Sequence, residues 1–405
     1  MASHKHVDLA SERLTLDEIG PRWQMIALAV GAIGFVGAFV AGGGLDGGWR
    51  QFWHSWLANA AFFTSLALGG LFFTLIQHLT RAGWSVVVRR FAEAVAANIL
   101  LPALILLAPI AFKLSTVFPW ADPAVAHGDP LVEAKLGYLN PTFFLIRTAV
   151  YFLIWGALAH WFLSRSTEQD ASGDPDLTVR MQRWAAPGTL LFALSATFFS
   201  FDWLMSLKPQ WFSTIFGVYF FAGCVVGFFA LLPLIAMLVQ GAGRVRGLVN
   251  DEHYHDMGKL VFAFVVFWAY IGFSQFMLMW YANLPEETVW YAYRMNDAWA
   301  PVSWLMLFGH FVAPFFLLMS RHMKRRKPIL AFGACWMLAM HWMDLYWIVM
   351  PQAFPEHLPF SMVDGALFLG MGGLFAFFAL RRLSSRALVP RKDPRLAESI
   401  RFENI

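Results

Sequence analysis

Cysteine is almost missing from this chain. Cys224 and Cys335 are the only two in 405 residues, both lie inside apolar runs, and no Cys-x-x-Cys or Cys-x-x-Cys-His occurs. A disulfide framework, an iron–sulfur cluster held by this chain and covalently attached c-type haem are therefore unsupported. Charge is scarce as well, at 14% Asp, Glu, Lys and Arg. There is no phosphate-binding glycine loop, no zinc-ligand spacing, no His-Glu-x-x-His and no nucleophile elbow, so catalysis of the soluble kind has no seat here.

What is present is apolar: 59% hydrophobic residues, with 41 Phe and 19 Trp. A bilayer core about 30 Å thick takes about 20 apolar residues per helix, and that template fits ten times, at 23-44, 52-79, 90-113, 140-163, 184-206, 211-240, 257-281, 298-320, 328-350 and 362-382. The expected fold is an all-α polytopic membrane protein of about ten transmembrane helices, with tails 1-22 and 383-405. Counting a basic residue at a span's end with its adjoining loop, 24 of the 30 Lys and Arg fall in the two tails and the four loops on one side, five fall on the other, and Arg147 lies within a span. By the positive-inside rule both termini are expected in the cytoplasm. The basic balance then reports topology and a lipid bilayer as partner, not nucleic acid. The first apolar run has no small-residue cleavage site, so it is expected to be a retained helix. Arg321 to Lys327 and the C-terminal arginines are expected as solvated or lipid-facing anchors, and Ser115 to Leu139 as an acidic, turn-rich, non-helical loop able to seat a partner.

A few ionisable residues interrupt the apolar runs, and such residues mark functional positions by default. Asp202 stands seven residues before Pro209, and Asp344 seven before Pro351. This echo pairs the fifth span with the ninth, and Asn140-Pro141 and Ala300-Pro301 open the fourth and eighth spans alike. A four-helix period would match spans two to five, 52-206, with spans six to nine, 211-350. By helix rise, Asp202 lies about 6 Å from the outer end of its span and Arg147 about 10 Å from the start of its own. Arg147 is the natural counter-ion for Asp202, either as a plain buried pair that fixes helix register or as part of a proton-accepting site. His341 and Asp344 share a face at i and i+3, where the carboxylate can orient the imidazole. His310 falls within about 5 Å of the same depth, so bis-histidine haem b is an alternative. Toward the cytoplasm, Glu93, His78 and His160 either lead into a proton relay or simply reach the interface. Ser195 shares a face with Asp202, as a path inward or a packing seam, and Trp280-Tyr281, Trp290-Tyr291-Ala292-Tyr293 and Trp347 are expected as interfacial belts.

One stretch carries a resemblance. Phe201-Asp202-Trp203-Leu204-Met205-Ser206-Leu207-Lys208-Pro209, followed by Trp211-Phe212-Ser213-Thr214-Ile215-Phe216-Gly217, resembles the ActF-type integral membrane subunits of bacterial alternative complex III, which are similar to the NrfD and polysulfide-reductase membrane subunits. The resemblance implies two four-helix bundles with one flanking helix at each end, 23-44 and 362-382. It implies a haem-free subunit of a quinol-oxidising complex in the bacterial inner membrane, not catalytic alone. Its expected partners are an iron–sulfur subunit, c-type cytochrome subunits and a second NrfD-like subunit; haem c and iron–sulfur clusters belong to those partners, and menaquinol is possible in the complex. The expected role is a proton path through Glu93, His78 or His160, past His310, to Asp202 with Arg147 and Asp344 with His341. The alternatives are a quinol-binding anchor, a purely structural scaffold and a free-standing transporter.

Overall fold

The computed structural model describes residues 12–44 and 48–404, the side chains of 101–103 excepted. Of the N-terminal tail, residues 1–11 lie outside the described residues. Among the described residues ten helices are long and apolar enough to cross a membrane, and they are numbered here as spans 1 to 10: Ile19–Gly42, Gly48–Leu79, Val86–Ala111, Pro141–Ser172, Asp176–Leu207, Phe216–Gly241, Asp251–Ala282, Ala300–Met319, Lys327–Ala353 and Met362–Ser384. No strand occurs among the described residues. The protein is an all-α polytopic membrane protein.

Helix ends follow local chemistry. Asn140 opens span 4 by accepting the Phe143 amide at 2.9 Å, and Asn250 opens span 7 by accepting those of Glu252 and His253. Breaks within spans follow proline. Span 3 is interrupted by a 3₁₀ turn at Ala97–Ile99 just ahead of Pro102, which offers no amide to the carbonyl four residues back. Span 8 widens into a π-helical stretch, Met306–Val312, where Pro314 leaves the His310 carbonyl without its usual donor. Span 9 runs through Pro351, which frees the Trp347 carbonyl in the same way.

Packing closes two rings. Spans 2, 3, 4 and 5 are neighbours in that cyclic order, and spans 6, 7, 8 and 9 repeat it. The rings meet where span 2 touches spans 6 and 9 and span 6 touches spans 2 and 5, so exchanging 2 with 6 and 5 with 9 maps the interface onto itself. Span 2, at the centre, is almost wholly buried. The two flanking helices, one from each end of the ten-span order, lie together: span 10 packs on spans 2 and 3, and span 1 is held mainly by span 10. Their seam is built of glycine, because a Cβ on Gly34 would stand 2.3 Å from the Gly370 amide nitrogen and one on Gly373 would stand 2.4 Å from that of Gly31. Large apolar side chains such as Ile33, Leu194, Phe273 and Phe332 point outward, as lipid-facing helices require.

One expectation about connecting segments is corrected. The 115-139 loop is not irregular: Leu114–Val117, Pro123–Ala126 and Pro130–Glu133 are helical turns, the last two opened by Asp122 and Asp129 accepting amides two residues on. The C-terminal arginines are exposed or half-buried, as expected, but the tail that carries them is docked. Leu388, Val389, Leu396 and Ser399 are buried, and the tail crosses the basic end of the bundle, bonding Leu14, Trp84, Asp170, Ala171 and Asn250. Within the 321-327 cluster, Lys324 is buried and donates to the Leu318 and Met319 carbonyls at the end of span 8, and Arg325 pairs with Glu252.

Candidate functional site

The ionisable side chains gather in three places. At the end opposite the basic one, Asp202 is fully buried in the last α-helical turn of span 5, which ends at Trp203. Arg147 of span 4 grips it with Nε donating to Oδ2 at 2.8 Å and Nη2 to Oδ1 at 2.9 Å, and the Tyr151 hydroxyl donates to Oδ2 at 2.7 Å. This forked pair is the one read from helix depth. Arg147 also donates to the Tyr138 carbonyl, and its guanidinium lies over the Tyr138 and Phe143 rings at 3.7 and 4.4 Å. Burial, then the Asp202 charge, pushes the Tyr138 phenol up to about 12, so it stays protonated. Three donors to one carboxylate leave little acceptor capacity for a mobile proton. Ser195 does not extend the cluster: it accepts the Trp155 indole N–H and donates to its own helix. Beside the cluster lies a cavity of about 450 Å³ whose walls include Lys135, Tyr138, Phe198, Phe201, Trp211 and Phe212.

Asp344 is different. It lies on span 9, about 14 Å along the helix from the Ala353 end, and is buried. Its partners are neutral: the Tyr219 hydroxyl of span 6 donates to Oδ1, and the Trp268 indole of span 7 donates to Oδ2 at 3.1 Å. The expected contact with His341 is not made. His341 turns to span 2 instead, with Nε2 and the Ser65 hydroxyl 2.7 Å apart, and its Nδ1 has no partner. Both side chains nevertheless edge the same glycine: a Cβ on Gly223 would stand 3.2 Å from His341 Nδ1 and 3.7 Å from Asp344 Oδ2. His310, in the π-helical stretch, stacks on Trp268 with ring centroids 3.7 Å apart, and neither ring nitrogen has a partner. Spans 6 to 9 and span 2 thus bring one carboxylic acid, two imidazoles and a phenol to mid-membrane depth. Of the nitrogens a bis-histidine haem would need, His341 Nε2 is taken by the Ser65 hydroxyl.

At the basic end, Glu93 is buried between Arg89 and Arg90, whose Nε atoms lie 3.3 and 3.0 Å from its two oxygens. Arg89 also pairs with Asp393 of the tail at 2.5 Å, and Arg90 with Asp170 at 2.9 Å, so two cations are shared by three carboxylates. Glu93 is here the knot of an ion network rather than a lone acid. His78 is buried nearby, stacked on Phe162, with Nε2 unpartnered. His160 does not join it: the ring is exposed on the outward face of span 4. The core stripe of that helix runs through Arg147, Tyr151, Trp155, Ala159 and Phe162, and His160 falls off it.

Sequence reasoning missed Tyr151, Tyr219, Trp268 and Ser65, all neutral groups whose role exists only once helix neighbours are known. It also missed Arg294, counted as a loop cation. This residue lies in the helix Pro285–Met295 and is fully buried, with Trp290 and Trp347 packed on its guanidinium at 3.4 and 5.0 Å. Those two tryptophans are therefore core residues and not an interfacial belt, whereas Trp280 and Tyr281 are exposed as a belt requires. Among the described residues no three His, Cys, Asp or Glu side chains converge as a metal site would need. A scan against protein-family models finds no match to the chain, and a search of curated proteins finds no similar one.

Proposed function

We propose that this chain is a membrane subunit of a quinol-oxidising electron-transfer complex and that its own contribution is to accept and release protons within the membrane, at Asp344. The observation that carries the proton-handling part is the company Asp344 keeps. It is a buried carboxylic acid bonded only by a phenol and an indole, with two imidazoles nearby that hold three unpartnered nitrogens. A carboxyl group in that setting can change protonation without breaking an ion pair, and neutral imidazole is the side chain suited to exchange with it. The placement in a complex is supported by the resemblance of 201–217 to alternative complex III membrane subunits. On that reading, haem c and iron–sulfur clusters sit in partner subunits, the membrane is the bacterial inner membrane, and the basic end faces the cytoplasm.

Asp202 takes the structural part in this proposal, since its oxygens are already held by Arg147 and Tyr151. Asp344→Asn should leave assembly intact and lower the protons moved per electron in reconstituted vesicles. An unchanged stoichiometry with a folded variant sinks the proposal. Purification in mild detergent through a terminal tag tests the partners independently: haem c absorbance and an iron–sulfur polypeptide should accompany the chain.

The cavity beside Asp202 favours a second reading, in which this chain contacts quinol directly. Its size suits a ring, and its walls are mostly aromatic and aliphatic. A photoreactive quinone analogue should then label the segment 198–212, and labelling confined to another subunit rules it out.

A further inference from the structure

A guanidinium buried without a carboxylate is uncommon, because desolvation opposes the charge and nothing of opposite sign repays it. Arg294 is such a group: among the described residues no carboxylate lies within 4 Å of it. Its hydrogen bonds go to main-chain carbonyls, Nη1 to Trp290 at 2.8 Å, Nε to Trp347 at 3.1 Å and Nη2 to Ile348 at 2.8 Å, with the neutral Gln352 amide beside it. The Trp347 carbonyl is the one that Pro351 leaves without a donor, so Arg294 mends the break in span 9. Mending a carbonyl does not require a cation, since a neutral amide would do it with less desolvation.

The position of the charge accounts for the choice. Trp347 is three residues past Asp344, so Arg294 is anchored about 4.5 Å further along the helix, roughly one turn toward the opposite end from the basic one. The groups around Asp344 are Tyr219 from span 6, Trp268 from span 7, His310 from span 8, His341 from span 9 itself, and Tyr291 and Arg294 from the helix Pro285–Met295. Arg294 is the one that is charged whatever the protonation of the rest. Burial pushes its guanidinium down to about 9, against which Tyr291, Tyr219 and Asp344 act, so it remains charged at neutral pH.

We propose that Arg294 is the positioning residue of the exchange site: a fixed positive charge, held one turn from Asp344 by the Pro351 break, that sets how much of that carboxylate carries a proton. This rests on the reading of Asp344 as a proton-exchanging group, and the test separates the two. In the purified protein, the protonated-carboxyl band of Asp344 is identified by infrared difference spectroscopy as the band lost in Asp344→Asn, and is followed from about pH 5 to about pH 9, the range over which a perturbed buried acid titrates. Arg294→Gln keeps donors for the carbonyls and removes the charge, and should raise the ratio of protonated to ionised Asp344 at neutral pH at least about tenfold, as expected for losing a unit charge within about 10 Å at an effective dielectric of about 20. Arg294→Lys keeps the charge and should stay close to the parent. A titrating band that Arg294→Gln leaves unmoved overturns the inference and spares the reading of Asp344; a band that does not titrate at all overturns both. Should Arg294→Gln fail to fold, the parent protein decides. With isotopically labelled arginine, the guanidinium band lost in Arg294→Lys should shift in step with the Asp344 titration, and a band that stays still overturns the inference.

Discussion

The Asp202–Arg147 pair makes a sharp prediction, because both of its hydrogen bonds and its burial are defined. Replacing Arg147 by Met leaves Asp202 fully buried with the Tyr151 hydroxyl as its remaining side-chain donor. Two opposite charges about 4 Å apart in a medium of effective dielectric about 20 attract by about 4 kcal/mol, and removing one partner of a buried pair costs about 3–5 kcal/mol. Asp202→Asn is expected to cost less, about 2 kcal/mol. The amide oxygen still accepts from Tyr151, and Arg147 keeps the Tyr138 carbonyl and two aromatic faces. The double variant Arg147→Met/Asp202→Leu should recover most of the loss, since apolar groups of similar size replace buried ion pairs at little cost. Thermal unfolding in detergent, followed by size-exclusion of the heated protein, reads the order: parent, double variant, Asp202→Asn, Arg147→Met. A double variant no more stable than Arg147→Met refutes the reasoning, and so does an Arg147→Met variant within about 1 kcal/mol of the parent, which would be the magnitude of an exposed pair.

The glycine seam gives a second prediction. A Cβ on Gly37 would lie 3.9 Å from that of Ala366, within disulfide range, so Gly37→Cys/Ala366→Cys should crosslink spans 1 and 10 on oxidation, and adding Gly34→Leu should abolish the crosslink by driving a side chain into the Gly370 backbone. Asp393→Ala should free the C-terminal tail: Arg89 would be left to share Glu93 with Arg90, a loss of about 3 kcal/mol, and trypsin cleavage at Arg391 and Lys392 should quicken about a hundredfold if it follows local opening. Unchanged cleavage would mean that the tail is held by its apolar residues alone.

The spans were legible because membrane thickness sets a length that a soluble helix has no reason to keep, and all ten appear where the apolar runs lie. The Asp202–Arg147 pair was legible by depth alone, since a counter-ion on an adjacent antiparallel helix needs only a matching rise count. His341 and Asp344 show where that logic stops. Sharing a face at i and i+3 places their backbones together, but each side chain is claimed by a different neighbour, Ser65 on span 2 and Tyr219 on span 6. Which helix stands opposite is fixed by ring closure, which periodicity within one helix does not encode. His160 could have been set aside from sequence, since the Arg147, Tyr151, Trp155 stripe at helical spacing leaves it outside. Arg294 could not: its short helix reads as a loop, and its partners are main-chain carbonyls, which leave no trace in side-chain pattern.

The repeated Asp-x6-Pro spacing ends in two unlike local structures, and the difference accounts for the two roles given to the acids. In the first ring the α-helix stops at Trp203, ahead of Pro209, so Asp202 sits at a helix end where Arg147 reaches it directly. In the second ring the helix continues through Pro351 to Ala353, so Asp344 stays inside it, about two turns deeper. The arginine near that end is drawn to the carbonyl that Pro351 frees, and its hydrogen bonds are spent on backbone rather than on the carboxylate. One acid is thereby neutralised by contact and immobilised. The other keeps a positive charge at a distance and a phenol and an indole as its direct partners, with one imidazole stacked behind that indole and another on its own helix. A helix that ended before Pro351 would let Arg294 close on Asp344 as Arg147 closes on Asp202, so the length of span 9 beyond its proline is what, on the function proposed here, leaves the second acid free to exchange a proton.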